Sequence, residues 1–539
     1  MKRPRIIRNL IPLVLIPAVF LQGCHLFYEP EFVPPETASP TEDEYLPPEI
    51  LPAPSRPRPG RFTLRYDSNS SLNPITTLNR DNILLASLMY ESLFVLDGEL
   101  NVEPVLCESW ESDDFTTFTF NIKPNIAMND GGWLTADDVM YSIRQATQRG
   151  RYVNRLKSIA SISTDGGLSV TIMLYDTNSR FPSLLDIPII KAGSIEDRIP
   201  PGTGPYIFTG ESNMYMERFV RHRDFFDLPV TTVYLIEFAD DELTQAFDDG
   251  EISLLWDDPS DSFEIRLNRL FDPRYYETTT MQFIGFNGRS RIIRDPYVRR
   301  AIGCAVERDY IVSEIMPPGS AVAAPTPLSR SFQYYDPSWE HSDYDPFEEM
   351  ALLLEQADFD DYDDDSFLEV WDGYDGYDEV SLLFIVNSEN LHRVRAAQRI
   401  TYTMRRCGLD VTLRELSWDS FISALESGNF DIYYGEIMLG ADFDLSPLLL
   451  PGNLNYGITA STTYKPFLDD FLIAKTSYEM AYAAGRLLEE IKRNAPFVPV
   501  LYKRYVLYSP MGAITGAYPG QSNIFRNIKE WTINLTLLT

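Results

Sequence analysis

Three strand-like runs separated by two helix-patterned stretches, all within residues 380–438, restrict the fold more than anything else in this chain. Val380 to Asn387 reads as a continuous apolar strand with SLLFIV at its centre. From Arg393 to Cys407, Val394, Ala397, Ile400, Thr401 and Met404 recur at helical spacing on one face, with arginines on the other. Gly408 supplies the C-terminal stop. Asp410 to Leu416 is a second strand, Asp419 to Ser427 a second helix ended by Gly428, and Asp431 to Met438 a third strand. This β-α-β-α-β order implies right-handed crossovers and a mostly parallel sheet. Ligands of such sheets gather beyond the carboxyl ends of the strands. The segment that follows the third strand, Leu439 to Pro447, is therefore expected at a crevice.

The N-terminal half mixes strand and helix with more antiparallel character. Phe115 to Ile122 alternates β-formers, and Thr135 is placed to cap a helix running through Asp138 to Gln148. The turn Gly202-Thr203-Gly204-Pro205-Tyr206 leads into Ile207 and Phe208. It lacks the G-x-G-x-x-G spacing, and its proline removes an N–H that a phosphate loop needs. No internal repeat is visible.

The first 60 residues are of a different kind. Lys2, Arg3, Arg5 and Arg8 precede a short apolar stretch, Leu10 to Leu21, that ends in Leu21-Gln22-Gly23-Cys24. The stretch is short of the roughly 20 apolar residues a bilayer span requires and reads as an export signal, residues 1–23. The ending looks like a bacterial lipobox, in which Cys24 becomes the lipid-bearing N-terminus. One acyl chain holds a protein marginally and two or more hold it stably. Between Glu29 and Gly60 lie ten prolines and seven acidic residues, so 24–60 is expected to be an extended linker that cannot bury enough surface to fold.

From about Arg61 onward the composition is globular, with a length that suggests roughly three domains. The formal net charge of −33 makes nucleic acid and anionic lipid poor partners. Cys107, Cys304 and Cys407 are far apart, sit among apolar neighbours and form no CxxC pair, so they are expected as small core residues. The four histidines, at 25, 222, 341 and 392, form no ligand-spaced cluster. No H-E-x-x-H, G-x-S-x-G or Walker A sequence occurs, so enzyme chemistry has no visible apparatus and no cofactor or metal is implied. The acidic run Asp358 to Asp365 has the first EF-hand spacings at Asp361, Asp363 and Asp365. Ser366 stands where the turn glycine belongs, and position 12 is Asp372. A solvated loop is the expectation there.

Several short motifs, in order, carry a resemblance. Leu72-Asn73-Pro74 precedes Met89-Tyr90-Glu91-Ser92-Leu93, and Glu103-Pro104 precedes Glu108-Ser109-Trp110. Asp130-Gly131-Gly132-Trp133-Leu134-Thr135-Ala136-Asp137-Asp138-Val139, the GTGPY turn and Phe286-Asn287 with Asp295, Val298, Arg299, Ala301 and Ile302 follow. The spacing Trp418, Phe421, Leu425, Gly428, Phe430-Asp431 comes next. Together these resemble the peptide-binding class of ABC solute receptors (family 5, oligopeptide and dipeptide type) over nearly all of 61–539. The resemblance implies an α/β, two-lobed, periplasmic-binding-protein-like fold with an additional domain and mixed sheets flanked by helices. Domain I would take 61–78, 196–278 and 492–539, domain II 79–195 and domain III 279–491. The cleft would lie between domains I and III, with hinge strands at the two crossings.

The same resemblance implies function. Such a receptor is a monomer on the outer face of the membrane, held by its lipid alone. It captures a peptide or other small solute and passes it to the transmembrane subunits of an ABC permease. Asp442, in Gly440-Ala441-Asp442-Phe443-Asp444-Leu445-Ser446-Pro447, aligns with an aspartate that pairs with a peptide's α-ammonium group. Asp444 is placed to cap the next segment. Trp418, Phe286, Asn287 and Gly440 are further candidates for lining the cleft, and Tyr90 and Trp133 follow them. Pro447 lies one residue further on than in the peptide binders, and Leu439 stands where those often carry tryptophan. A peptide-sensing surface receptor is the alternative reading, and a surface enzyme a more distant one.

Overall fold

The computed structural model describes residues 60–538 apart from 210–213, 262–264, 341–344, 372, 373, 375, 453, 459 and 460. The signal segment, Cys24 and the linker as far as residue 59 lie outside the described residues. No helix among those described is long and apolar enough to cross a membrane.

The strands Ser381–Asn387, Asp410–Leu416 and Ile432–Met438 form as their sequence pattern requires and are mutually parallel, with Ser381–Asn387 in the middle. The helices Leu391–Arg406 and Trp418–Ser427 connect them. Gly428 ends the second in the left-handed region at φ 72°, a conformation that costs glycine little. The apolar run of the middle strand has a direct cause. Leu382, Phe384 and Val386 enter one core with Ile400, while Ile385 enters another with Phe421 and Leu425. A strand covered on both faces has no polar side.

The parallel order stops at these three strands. Ile432–Met438 pairs antiparallel with the long strand Phe271–Phe286, which pairs antiparallel with Phe497–Pro510. Leu255–Asp257 and Ala321–Ala323 add to Phe497–Pro510. The sheet is mixed because the two long strands enter from the other side of the molecule rather than through a helix crossover.

These two strands join two separate cores. Phe497 to Tyr502 and Met281 to Phe286 pack with the C-terminal lobe. Val506, Leu507, Tyr508 and Tyr276 pack with the N-terminal lobe. The register breaks between Glu277 and Met281, where three buried threonines bridge the change. Thr278 Oγ1 donates to Lys503 O at 2.8 Å, and Thr279 Oγ1 to Leu439 O at 2.6 Å. One passage between the two cores thus falls between Glu277 and Met281. The second falls near Lys503, later in the chain than 491/492, because Phe497 to Tyr502 still belongs to the C-terminal core.

In the N-terminal lobe, segments assigned to domains I and II by sequence share one continuous core that includes Phe62, Leu64, Val139, Ile143, Tyr206 and Trp531. Two four-stranded sheets flank it. The helix Ala136–Ala146 begins at a complete capping box, in which Thr135 Oγ1 accepts from Asp138 N and Asp138 Oδ2 accepts from Thr135 N. The GTGPY turn is a packing device. A Cβ on Gly204 would lie 2.2 Å from Met89 C, and one on Gly202 would lie 2.5 Å from the Tyr90 ring. Only glycine lets this backbone pass the end of the helix Arg80–Met89.

Cys107 is buried as expected, whereas Cys304 and Cys407 are half-buried, and all three are free thiols. The latter two sit at helix ends, Cys304 closing Pro296–Cys304 and Cys407 capping Leu391–Arg406. A last-turn position turns one flank outward.

Candidate functional site

The loop after Met438 is where the two lobes meet. Asp442 is 3% exposed, and its cover comes from the N-terminal lobe. Asn178 Nδ2 donates to Asp442 Oδ2 at 2.8 Å. Arg180 Nε donates to the Asp442 carbonyl at 3.0 Å, and its guanidinium lies 4.1 Å above the Phe471 ring. Ser179 completes the seam, its N–H and hydroxyl reaching Leu472 O at 2.7 Å and Ala474 O at 2.8 Å. The loop is held in an uncommon shape. Phe443 follows Asp442 at φ 52°, a region costly for a residue with a Cβ. Its ring is buried edge-on against Phe332, centroids 5.3 Å apart.

The charges at this corner do not balance in Asp442's favour. Burial pushes its carboxyl above the ordinary value, and Asp444 adds to that. Arg180 and the Asn178 hydrogen bond oppose the rise without cancelling it. Arg155 also acts on Asp442 but is paired with Asp186. Asp444 stands one residue ahead of Leu445, the N-cap of the short helix Ser446–Leu449, and accepts from Ser446 N at 2.9 Å without being the cap itself. A buried carboxylate left short of positive charge is a place where an incoming cation is favoured.

Gly440 serves the same loop. A Cβ there would lie 2.3 Å from Asp442 Oδ1 and 3.0 Å from Leu184 Cδ2 across the seam. Gly440→Ala is therefore expected to displace the carboxylate and loosen the seam, at a cost of about 1–3 kcal/mol, read as a lower urea midpoint. An unchanged midpoint would show that the loop has room to spare.

A second interlobe contact lies along the long strands. Lys503 and Asp258, each 3% exposed, form a buried ion pair. Lys503 Nζ is also 3.6 Å from Glu436 Oε2, and Glu436 pairs with Arg393 at 2.9 Å. Gln282 Nε2 donates to Glu436 at 3.0 Å, and Asn390 Nδ2 reaches across to Ser260 O at 2.9 Å. Burial alone would lower the Lys503 ammonium; Glu436 and Asp258 outweigh it and hold the group above its ordinary value. Nearby, burial and then Asp258 push the Asp257 carboxyl up to about 7. Arg80 covers the Trp256 ring at 4.0 Å, and Trp256 meets Tyr505 edge-on.

The other candidates are dispersed. Trp418 is 50% exposed on the first turn of its helix, with its N–H on Glu389 at 3.0 Å. Phe286, 1% exposed, is inside the C-terminal core. The Asn287 amide donates to Gly428 O at 3.0 Å and Phe430 O at 2.6 Å. Phe286 packs within the core and Asn287 ties the end of Phe271–Phe286 to its neighbours. Tyr90 is buried with its hydroxyl on Pro200 O, and Trp133 is exposed beneath the Arg221 guanidinium. In the acidic loop, Asp361, Asp363 and Glu369 each bring an oxygen within 4.8 Å of the others. Asp365 accepts from Phe367 N, and Glu369 falls at position 9 of the spacing that Asp361 begins.

Sequence reading missed Asn178, Arg180, Asp258 and Lys503. Lys503 carried a signal, a charge within the apolar run Phe497 to Tyr508. Asn178 and Arg180 carried none, since their partner is more than 260 residues away in sequence.

Residues 101–455 match the family model for bacterial extracellular solute-binding proteins, family 5. The chain is 22% identical over 497 residues to the periplasmic oligopeptide-binding protein OppA of Salmonella typhimurium, covering 82% of this chain and 87% of that one. It is 22% identical over 470 residues to heme-binding protein A of Haemophilus influenzae, covering 78% and 82%. Its fold superposes on the ABC transporter substrate-binding protein CtaP from Listeria monocytogenes with a TM-score of 0.70 at 18% identity, over 88% of this chain and 99% of that one.

Proposed function

The chain belongs to the bacterial extracellular solute-binding proteins of family 5, and on that premise we propose that it is a lipid-anchored ABC-import receptor that captures a peptide by its amino terminus. Asp442 carries this reading. It is buried where the lobes meet, and burial together with Asp444 outweighs the groups that stabilise its charge. An α-ammonium group supplies the missing positive charge in a site that excludes water, where a charge-assisted hydrogen bond is strong. The related proteins named above bind oligopeptides in one case and heme in another, so the family sets the receptor class and the Asp442 corner selects among solutes.

Capture and release follow from the two cores. A solute that touches both lobes binds the joined state better than the separated one, and that difference draws the lobes together. The strands Phe271–Phe286 and Phe497–Pro510, interrupted at the threonines, are the place where the bend occurs. Delivery is then to a membrane permease whose own ATPase supplies the energy. Mass spectrometry of material released from the purified protein is expected to show peptides with free amino termini. Recovery of heme or a metal chelate alone would overturn the peptide reading and leave the receptor class intact.

The anchor is tested separately. Cys24→Ser is expected to abolish detergent-phase partitioning and to leave the protein without acyl mass. Partitioning of the serine variant equal to that of the unaltered chain would remove the lipid from this account.

A further inference from the structure

The segment Asn178-Ser179-Arg180 belongs to the N-terminal lobe, yet six of its polar atoms are bonded to the other one. It runs directly into Phe181 and Leu184, which are buried in the N-terminal core. Ahead of that anchor, Asn178 Nδ2 holds the Asp442 carboxylate at 2.8 Å, and Asn178 Oδ1 accepts from Arg180 N at 3.0 Å. The guanidinium of Arg180 passes Asp442, bonds its carbonyl through Nε and reaches Phe471 O at 3.3 Å. It lies over Phe471 and, at 5.6 Å, near Phe332, whose ring also braces Phe443. One three-residue segment thus grips both the side chain and the main chain of a single aspartate in the opposite lobe.

We propose that Asn178 and Arg180 are the positioning residues of Asp442: by crossing the seam they fix where its carboxylate points and which charge stands beside it. The assignment rests on the reading of Asp442 as the solute anchor. Its consequence is that the anchor is complete only while the lobes are joined, because separating them withdraws the amide and the guanidinium together. Specificity for a cationic terminus and closure then become one event.

The charged groups that face this corner are few. Arg155, paired with Asp186, and Arg180 come from the N-terminal lobe, and Asp444 comes from the loop itself. Lys465, on the helix Ser461–Ile473, pairs with Asp469 and also feels Asp444. Arg180 is the charge opposing the rise of Asp442. Loss of Arg180 moves Asp442 further up, and a lysine in its place holds the value.

The test needs no solute. A carboxyl raised in the folded state takes up protons on folding, so stability falls as pH rises from the unfolded value of about 3.9 to the folded one, then levels off. Asp442→Asn removes that fall, and the difference between each chain and the same chain carrying Asp442→Asn gives the midpoint. Urea denaturation from pH 3.5 to 8 is run on the unaltered protein and on Arg180→Lys, Arg180→Met and Asn178→Ala. The midpoint is expected to rise by about one pH unit or more in Arg180→Met, to rise less in Asn178→Ala, and to stay in place in Arg180→Lys. A midpoint unmoved in Arg180→Met overturns the proposal, since a side chain that merely packs leaves it alone. If Arg180→Met does not fold, an unmoved midpoint in Asn178→Ala overturns it equally. Trialanine and N-acetyl-trialanine are titrated into the same chains. If both bind the unaltered protein alike, the ammonium reading of Asp442 fails, while the pH midpoints still decide the positioning roles.

Discussion

Replacing Lys503 by methionine is expected to destabilise the folded body by about 3–5 kcal/mol, because it leaves a buried carboxylate without its cation. Asp258 is the residue left to bear that cost. It is as deeply buried as Lys503, whereas Glu436 keeps Arg393 at 2.9 Å and the Gln282 amide at 3.0 Å. Asp258→Asn in the same chain should restore much of the loss, so the two changes are far from additive. The contribution also has a pH signature. The Lys503 ammonium is held above its ordinary value, so its stabilisation is fully present below the unfolded value of about 10.4 and disappears as pH rises through the folded one. The methionine variant lacks that alkaline loss. Urea midpoints across pH 7 to 11 for the three chains measure both effects. A loss below about 1 kcal/mol, the range of an exposed pair, would show that the Lys503–Asp258 contact is solvated and does not join the lobes.

Asp442→Asn is expected to weaken peptide binding by about 2–5 kcal/mol, the cost of cutting one partner from a buried charge pair, which is about 30-fold or more in affinity. The substitution keeps the shape, and the Asn178 amide and the Arg180 bond to the main chain remain available. What it removes is the charge proposed to face the solute's ammonium group. Acetylating the peptide's amino terminus should weaken binding to the unaltered protein by a similar factor and add little in the Asp442→Asn variant. Non-additivity of this kind marks a direct contact, since an aspartate that only supports the loop gives independent effects. Calorimetry on the four combinations decides it. Equal affinity of free and acetylated peptide for the unaltered protein would remove Asp442 as the anchor. Binding should also weaken as pH falls through the raised value of this carboxyl, because the protonated acid no longer attracts an ammonium group. With Asp442→Asn that acid limb is absent.

Sequence by itself determined the elements whose causes are local. The strands at 381–387, 410–416 and 432–438 and the helices between them follow from the spacing of apolar side chains and from glycine at the stops. The capping box at Thr135 and Asp138 is a contact between residues three apart, and the placing of the loop after Met438 beyond the carboxyl end of its strand follows from strand order alone. Ordered motifs, each weak singly, identified the receptor family. Tertiary structure decided everything that depends on residues far apart in the chain. The sheet became mixed because two long strands arrive from the other lobe, and no pattern within a strand encodes the direction of its neighbour. Phe286 and Asn287, candidates by their motif, were placed in the core and against the carbonyls at 428 and 430. Asp442 gained its partners from Asn178 and Arg180, and Lys503 gained Asp258, only when the lobes met. The charge of a buried group depends on which distant residues the fold brings within a few ångströms of it, and that distance is a property of the folded chain.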